Sequence, residues 1–188
     1  MTATGIDTAR LLQRLERLEA EADIRRIQAR YMFLCDTPNP EYGVRDNQHR
    51  IDLILDLYTD DAIWEGVGEY YSNQFGRAVG KGQIRAHFNR FWPEKQDPEL
   101  LINAHYLTSE QIHVHADGES ADGQWIHFQP WLFADGKGLI RGSRLNNLFR
   151  KVDGVWKVAR TRTENVCIIP LPDNFATDFP RTSVLLAP

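Results

Sequence analysis

The chain has 188 residues and a net charge of −4, with 42% hydrophobic and 26% charged residues. This length suits one domain, and the composition is that of an ordinary globular protein. The lack of a basic excess argues against nucleic-acid binding, and no stretch approaches the ~20 apolar residues of a membrane span. The first ten residues also lack the apolar core of a signal peptide. We therefore expect a cytoplasmic protein that has neither nucleic acid nor a membrane as its partner.

Motifs for cofactors and metals are missing from the sequence. It contains no convincing phosphate-binding loop, cysteine cluster or nucleophile elbow. Two cysteines, Cys35 and Cys167, are too few for a disulfide framework, so we expect two reduced thiols. His113 and His115 have a spacing that can bind a metal, but no further ligands accompany them, which favours a polar strand face. We therefore expect neither a cofactor nor a metal.

The N-terminal part predicts a long helix that ends at a carboxylate. Apolar residues spaced three and four apart from Leu11 to Leu34 predict one apolar helix face. The segment TPNP follows, and each proline disfavours helical backbone in the residue before it, so the helix should end near Asp36. Later patterns predict, in chain order, a second helix over 51–58, a strand and turn over 62–71 and a third helix over 81–92.

The second half of the chain predicts consecutive antiparallel strands. Asp-Gly pairs at 117–118, 135–136 and 153–154 separate strand-like runs in the way that hairpin turns do. Helices followed by hairpins favour an α+β fold over a parallel sheet. The prolines near the end predict an irregular tail, so we divide the chain into a domain over 1–165 and a tail over 166–188 that packs on the body or on a neighbouring subunit. The predicted strands are 101–115, 124–133, 138–151 and 155–164.

His105 is the first candidate catalytic residue. It shares one strand face with Leu101, Asn103 and Leu107 by the period of two. A buried imidazole needs a hydrogen-bond partner, and a carboxylate such as that of Asp36 would fix its tautomer and favour its protonated form. Such a pair is a general base that needs no metal or cofactor. A structural histidine bonded to the backbone and an aspartate in a turn are the simpler interpretations of each residue alone.

Further candidates lie on the same elements. Tyr31 falls on the apolar face of the first helix, where its phenol would assist proton transfer, although a core aromatic residue explains it equally well. Asn103 would orient either the substrate or the imidazole; satisfaction of the backbone is the alternative.

One later strand carries four candidates on a single face, if that face lines a cavity. His127 and Gln129 would then bind polar groups of the substrate, and the tryptophans would stack on an aromatic ring. A solvated outer sheet face is the alternative, because the period of two does not say which face is buried. The residues that alternate onto this face are Trp125, His127, Gln129 and Trp131.

Five segments, in their order and spacing, resemble the SnoaL-like branch of the nuclear transport factor 2-like superfamily. They span roughly residues 20–165. The order of RYxxxxD, an NxH strand and xDGxW is similar to that of three groups of cofactor-free lyases: scytalone dehydratase, bile acid 7α-dehydratase and hexachlorocyclohexane dehydrochlorinase. The matching segments are EADIRRIQARYMFLCD, LYTDDAIW, VGKGQIRAHF, NAHYLTSEQIHV and FRKVDGVWKVART.

The resemblance implies a fold and a set of site residues. The fold is an α+β cone, in which N-terminal helices pack on a curved mixed sheet around an apolar cavity. The implied Asp–His dyad falls on Asp36 and His105, and Tyr31 matches a tyrosine of the bile acid enzymes. An arginine that several relatives carry falls on Arg144, with Arg141 as the alternative. Dimers and trimers are common on this fold, so we expect a homo-oligomer.

The implied function is that of a cofactor-independent lyase on an apolar, aromatic or polycyclic hydroxylated substrate. Dehydration and retro-aldol-type release of a small carbonyl fragment both fit the dyad. Three alternatives stay open: an isomerase or cyclase of the same superfamily, a non-catalytic module that binds a ligand or forms dimers, and the structural small subunit of a ring-hydroxylating dioxygenase. Fold-level similarity alone does not separate them.

Overall fold

The structure is a computed structural model that describes residues 7–173 and residue 175. Helix α1 begins after Asp7, whose carboxylate accepts the backbone N–H of Arg10, and it ends where Asp36 adopts an extended conformation. This confirms the predicted end of the first helix before the prolines. The helices are α1 (Thr8–Cys35), α2 (Asn47–Asp56), α3 (Glu69–Gln74) and α4 (Gly80–Phe91).

In the described part of the chain, seven strands form one mixed sheet. Its order is β2-β1-β7-β6-β5-β3, and β4 also pairs with β5, so β3 and β4 together form one edge of the sheet. Only β1 and β7 run parallel among the paired strands that the structure describes. The strands are β1 (Tyr58–Val67), β2 (Arg77–Val79), β3 (Leu100–Asn103), β4 (Tyr106–Val114), β5 (Ser120–Phe133), β6 (Gly138–Val152) and β7 (Val155–Pro170).

The three predicted hairpin turns are present. The Asp-Gly pairs follow β4, β5 and β6, and each glycine has a positive φ, which a residue without a side chain adopts readily. Between β6 and β7 both Asp153 and Gly154 have positive φ, as a two-residue turn of type I′ requires. These tight turns keep β4 to β7 in sequential antiparallel order, so the long strands curve together as a half-barrel.

The helices cover the concave face of the half-barrel. On β5 the residues that alternate from Ala121 to Trp131 are buried, and on β6 those from Arg141 to Phe149 are buried too. The buried stretch of α1, from Ala20 to Cys35, packs on this face together with α2 and α4. The predicted α+β cone with N-terminal helices on a curved mixed sheet is therefore confirmed. None of the helices described is long and apolar enough to cross a membrane.

Several local predictions differ from the structure. The start of α1 is unburied: its four N-terminal leucines, from Leu11 to Leu18, are 49–59% exposed, because this part of the helix extends beyond its packing partners among the described residues. Residues 69–74 form the short helix α3 where a turn was predicted. Strand β7 continues to Pro170, beyond the predicted strand over 155–164, because it keeps pairing with β6. Most of the predicted tail, after residue 173, lies outside the described residues.

Candidate active site

A cavity lies between the helices and the concave face of the sheet. Aromatic side chains form much of its wall, and most of its polar lining groups come from β3, from the link to β4, and from β5, β6 and β7. Apolar and aromatic walls with a few polar groups are typical of small-molecule sites. The lining includes Tyr31, Trp64, Phe75, His87, Phe88, Trp92, Asn103, His105, His127, Gln129, Trp131, Arg141 and Thr163.

Asp36 and His105 form the predicted pair. Oδ1 of Asp36 lies 2.6 Å from Nδ1 of His105, and the same oxygen accepts the backbone N–H of His105 at 2.9 Å. The side chains are 17% and 10% exposed, respectively, so the contact is shielded from most of the solvent. His105 lines the cavity, while Asp36 holds it from the side of the helix end. One carboxylate oxygen therefore fixes both the backbone and the ring of the histidine.

The sheet edge explains why the carboxylate reaches His105. The predicted single strand over 101–115 is interrupted between β3 and β4, although the pairing with β5 continues in the same register on both sides. Ala104 donates to Pro130 at 3.4 Å, and the proline has no N–H with which to donate in return. Alternate residues of an antiparallel edge strand turn their backbone groups away from the sheet. The N–H of His105 turns outward in this way and is free for Asp36.

A second backbone pairing fixes the end of helix α1 against this edge. Thr37 and Asn103 exchange two backbone hydrogen bonds, of 2.8 and 2.9 Å. The N–H of Asp36 itself is held by the last turn of the helix, through the carbonyls of Met32 and Phe33. The carboxylate is thus held by main-chain contacts on both sides, which is the rigid support that a catalytic side chain needs.

A chain of hydrogen bonds sets the tautomer of His105. The carbonyl oxygen of Cys35 can only accept, so the Nδ2 group of Asn103, at 3.2 Å, is its donor. Oδ1 of Asn103 then accepts from Nε2 of Gln129 at 2.5 Å, and the same amide nitrogen donates to Nε2 of His105 at 3.0 Å. Nε2 of His105 is therefore an unprotonated acceptor, and Nδ1 carries the proton that Asp36 accepts. The ring is held in the form that a general base requires.

His127 lies beside the pair as a neutral imidazole. Its ring stacks on that of His105 at 5.1 Å between centroids, and its Nδ1 lies 2.8 Å from the hydroxyl of Ser143. Burial, together with the smaller effects of the nearby charges of His105 and Arg141, lowers the pKa of His127 to about 3. Its Nε2 has no hydrogen-bond partner among the described residues. His127 can therefore form a hydrogen bond with a ligand through Nε2 while its ring stays neutral.

Tyr31 is buried in the wall of the cavity. Its hydroxyl oxygen accepts the indole N–H of Trp64 at 2.8 Å, and its ring packs edge-on against Tyr58 and Phe88. Burial raises the pKa of Tyr31 well above its usual 10, so the phenol stays protonated. Burial also raises the pKa of the Cys35 thiol to about 12, so this cysteine is no nucleophile. Tyr31 is thus a hydrogen-bond donor and not a base.

The two candidate arginines lie on opposite faces of β6. Arg144 is exposed on the outer face, opposite Ile126 and Glu164 of the neighbouring strands, and it does not line the cavity. Arg141 is 1% exposed and lines the cavity. The prediction that Arg144 faces the site is therefore wrong, because the two residues are three apart on a strand whose side chains alternate.

Two other residues, one a predicted candidate and one not, have places that the sequence pattern did not predict. Trp125 lies on the buried face as predicted, but its ring packs over Gly123 and against Phe149 and does not line the cavity. His87 was not a candidate, yet it is 1% exposed in the cavity wall, where burial lowers its pKa to about 4. The available signal was its place between Ile84 and Phe91 on the apolar face of α4.

Comparisons with known proteins give a family and a fold. The sequence pattern described as the SnoaL-like domain matches residues 16–162. No curated protein gives a significant match to the chain.

Solved structures with the same fold cover 84% of this chain. A protein assigned as an aromatic ring hydroxylase from Novosphingobium aromaticivorans is 22% identical, with a TM-score of 0.64 and 96% of its own chain covered. A hexachlorocyclohexane dehydrochlorinase, LinA type 2, is 18% identical, with a TM-score of 0.65 and 93% covered. A protein from N. aromaticivorans assigned as a scytalone dehydratase is 13% identical, with a TM-score of 0.62 and 91% covered.

Proposed function

Because the chain belongs to the SnoaL-like domain family, within the nuclear transport factor 2-like superfamily, we propose that it is a cofactor-independent lyase that acts by proton abstraction. The observation that carries the proposal is the 2.6 Å contact between Asp36 and the Nδ1 of a cavity-lining His105. The substrate is an apolar, aromatic or polycyclic hydroxylated molecule, which the aromatic wall suits.

The first step is the removal of a proton from a carbon next to a carbonyl group. Nε2 of His105 is the base, and the substrate's proton replaces the Gln129 amide as its hydrogen-bond partner. Asp36 accepts the Nδ1–H throughout and stabilises the imidazolium that forms. A well-placed general base contributes about 10²- to 10⁴-fold to the rate.

The second step is the departure of a hydroxyl group from the neighbouring carbon. The carbon–hydrogen electron pair becomes the new double bond, the carbon–oxygen bond breaks, and the proton on His105 ends on the hydroxide, which leaves as water. While the negative charge is on the carbonyl oxygen, the protonated phenol of Tyr31 and the neutral His127 are its hydrogen-bond partners. Arg141 takes the substrate-binding role that was predicted for Arg144.

A simple test uses 3-hydroxy-1-tetralone in deuterated water. Loss of water from this ketone gives 1-naphthol, and exchange of the hydrogen at C2 reports proton abstraction even when no water is lost. We expect the protein to accelerate both processes, and His105→Ala to lower kcat for the elimination by about 10²- to 10⁴-fold. Proton NMR follows exchange and product in one experiment. Circular dichroism checks that the variant is folded.

Three outcomes separate the proposal from its alternatives. Exchange or a double-bond shift without water release indicates an isomerase. An unchanged rate in His105→Ala would reject the dyad mechanism for any substrate that the protein converts. Tight binding of hydroxylated aromatic ketones with no exchange indicates a non-catalytic binding module.

The predicted homo-oligomer stays a prediction. Apolar side chains are exposed on the outer face of the sheet, and paired strands bring Tyr106 beside Phe128 and Ile140 beside Ile169. Exposed apolar clusters of this kind mark assembly surfaces in many proteins. Sedimentation equilibrium of the protein and of Phe128→Asp measures the state, and a smaller assembly is expected for the variant.

A further inference from the structure

Arg141 is a buried cation that the protein leaves without a hydrogen-bond partner. The residue is 1% exposed, yet its Nε, Nη1 and Nη2 atoms all lack a hydrogen-bond partner among the described residues. Burial lowers the pKa of its guanidinium, and the nearby Tyr71 and Tyr70 oppose this lowering only in part, because the contact with the Tyr70 hydroxyl falls short of a hydrogen bond of normal geometry. A buried charge is unfavourable unless it is paired, so the pairing group is expected to come from a bound molecule.

The contacts of Arg141 leave the edge of its guanidinium open. The Cζ atom lies 3.8 Å from the centroid of the Trp131 ring and 5.4 Å from that of Phe75. Stacking of this kind uses the flat face of the guanidinium and leaves its N–H groups, which point outward in the plane, available to a planar acceptor. Trp131 adds one more donor, because its buried Nε1 also lacks a partner among the described residues. Both side chains line the cavity.

A second buried arginine shows why the place of Arg141 matters. Arg50 is 7% exposed, and two of its nitrogens are also without partners among the described residues, but it does not line the cavity. Of these two arginines, Arg141 is the one whose unpaired charge coincides with a space that a ligand can enter.

We propose that the substrate of this site carries a carboxylate group, which Arg141 binds through two parallel hydrogen bonds while Trp131 stacks on the guanidinium. A carboxylate matches the spacing of two neighbouring guanidinium N–H groups and supplies the missing charge. The surrounding wall is aromatic, so the rest of the molecule is apolar. The proposal rests on the proposed function only in placing the substrate in this cavity.

The sheet register gives the direction of the bound molecule. Arg141 pairs with Gln129 across β5 and β6, and Gln129 bonds to His105 on the edge strand. The backbones of Arg141 and His105 are thus two strand spacings apart, roughly 10 Å. A molecule of one or two rings with a carboxylate at one end would place its other end at the base. The substrate class is therefore an aromatic or cyclic acid whose acidic carbon is remote from its carboxylate.

The test measures binding of 2-naphthoate, its neutral analogue 2-naphthamide, and acetate to the whole protein by isothermal titration calorimetry. We expect naphthoate to bind at least 10-fold more tightly than naphthamide and than acetate. In Arg141→Met the affinity for naphthoate should fall about 10- to 100-fold, as for other hydrogen bonds to a charged group, with that for naphthamide unchanged. Arg144→Met is the matched control, since Arg144 lies three residues away on the outer face, and it should leave both affinities unchanged.

Several outcomes would overturn the proposal. These are equal affinities of the wild type for naphthoate and naphthamide, no binding of naphthoate at millimolar concentration, or naphthoate binding that survives Arg141→Met. Acetate binding as tight as that of naphthoate would indicate a site for a free anion instead. The comparison within the wild type decides the question even if the variant does not fold.

The lyase proposal can fail independently of the carboxylate proposal. His105→Ala should keep the preference for naphthoate over naphthamide while it loses turnover of 3-hydroxy-1-tetralone. A protein that prefers the acid but catalyses no exchange would contradict the lyase and leave the carboxylate site standing.

Discussion

The two ends of the cavity differ in how their polar groups are satisfied. At the His105 end both ring nitrogens of His105 have a partner, and the chain from Asp36 to Asn103 continues into the backbone. At the Arg141 end three guanidinium nitrogens and the indole of Trp131 have none among the described residues. Under the proposed function, the groups that perform the chemistry are held in place before the substrate arrives, whereas the groups that recognise the substrate gain their hydrogen-bond partners from it. Changes at the first end should therefore affect rate, and changes at the second should affect binding and stability in opposite directions.

The largest expected effect is on the rate, at the His105 end of the cavity, which we call the partnered end because the nitrogens of His105 have hydrogen-bond partners. Asp36→Asn keeps an oxygen that can accept both hydrogen bonds from His105 but removes the negative charge that stabilises the imidazolium. We expect kcat for the elimination of 3-hydroxy-1-tetralone to fall at least about 100-fold, within the range for general-base catalysis. The double variant with His105→Ala should be no slower than His105→Ala alone, because the two residues act as a unit. Additive losses would contradict the pairing.

At the Arg141 end, which we call the unpartnered end, a substitution that weakens binding should increase the stability of the fold. Arg141→Met replaces an unpaired buried charge with an apolar side chain of similar length, and we expect the free energy of unfolding to rise by about 1–3 kcal/mol. Chemical denaturation with urea measures it. Arg144→Met, on the solvated face of the same strand, should change it by less than about 0.5 kcal/mol. Strong destabilisation by Arg141→Met would mean that Arg141 serves the fold and not a ligand.

Gln129 offers a finer test of the tautomer at the partnered end. Gln129→Glu puts an acceptor where an amide N–H now faces Nε2 of His105, so the variant should hold the imidazole in its protonated form. We expect about a 10-fold lower rate at neutral pH, with activity recovering as the pH rises. Gln129→Met removes the same hydrogen bond without adding charge and should not move the profile along the pH axis. The pH dependence of kcat for both variants distinguishes these outcomes.

The last prediction concerns the pH dependence of stability. The pKa values of His127 and His87 are lowered by burial to about 3 and about 4, while in the unfolded chain they lie near 6.5. Between those values the unfolded state binds protons that the folded state does not, so stability falls as the pH decreases from about 7 to about 4. Each histidine contributes roughly 1 kcal/mol per pH unit.

Matched variants isolate this contribution. Replacing both buried histidines with glutamine should flatten the decrease in the free energy of unfolding, as measured by urea denaturation from pH 7 to pH 4. The exposed His113→Gln is the control and should leave the slope as in the wild type, since its side chain stays in water on folding. An unchanged slope in the double variant would mean that the two rings titrate freely in the folded state.

The sequence predicted the fold well at positions where a residue type restricts the backbone conformation. The prolines after Asp36 predicted the end of α1, and the Asp-Gly pairs predicted the hairpins. The order of motifs then singled out His105 as the partner of Asp36, which spacing alone did not do. These signals are local or depend only on the order of motifs along the chain. They can therefore be recognised in the sequence without knowledge of the three-dimensional structure.

Period-two patterns failed where polar residues point inward. On β6 the buried face carries Arg141, Ser143 and Asn147, so hydrophobicity does not distinguish it from the outer face that carries Arg144. A cavity that binds a polar ligand removes the very signal that normally identifies the inner face. At the start of α1 the opposite error occurs, because apolar residues were predicted to be buried and are exposed. The helical spacing of the leucines predicts a buried face, but burial requires a packing partner, which the described residues do not provide.

The hydrogen bond from the His105 backbone to Asp36 also has a consequence for aggregation. Strands β3 and β4 form an edge of the sheet, and an uncovered edge offers its free N–H and C=O groups to other chains. Thr37 and Asp36 occupy the outward-facing groups of Asn103 and His105, so the end of α1 blocks this stretch against strand addition. The carboxylate that we propose for the chemistry therefore also protects the fold. Selection for solubility would therefore retain Asp36 even in a descendant that had lost its activity.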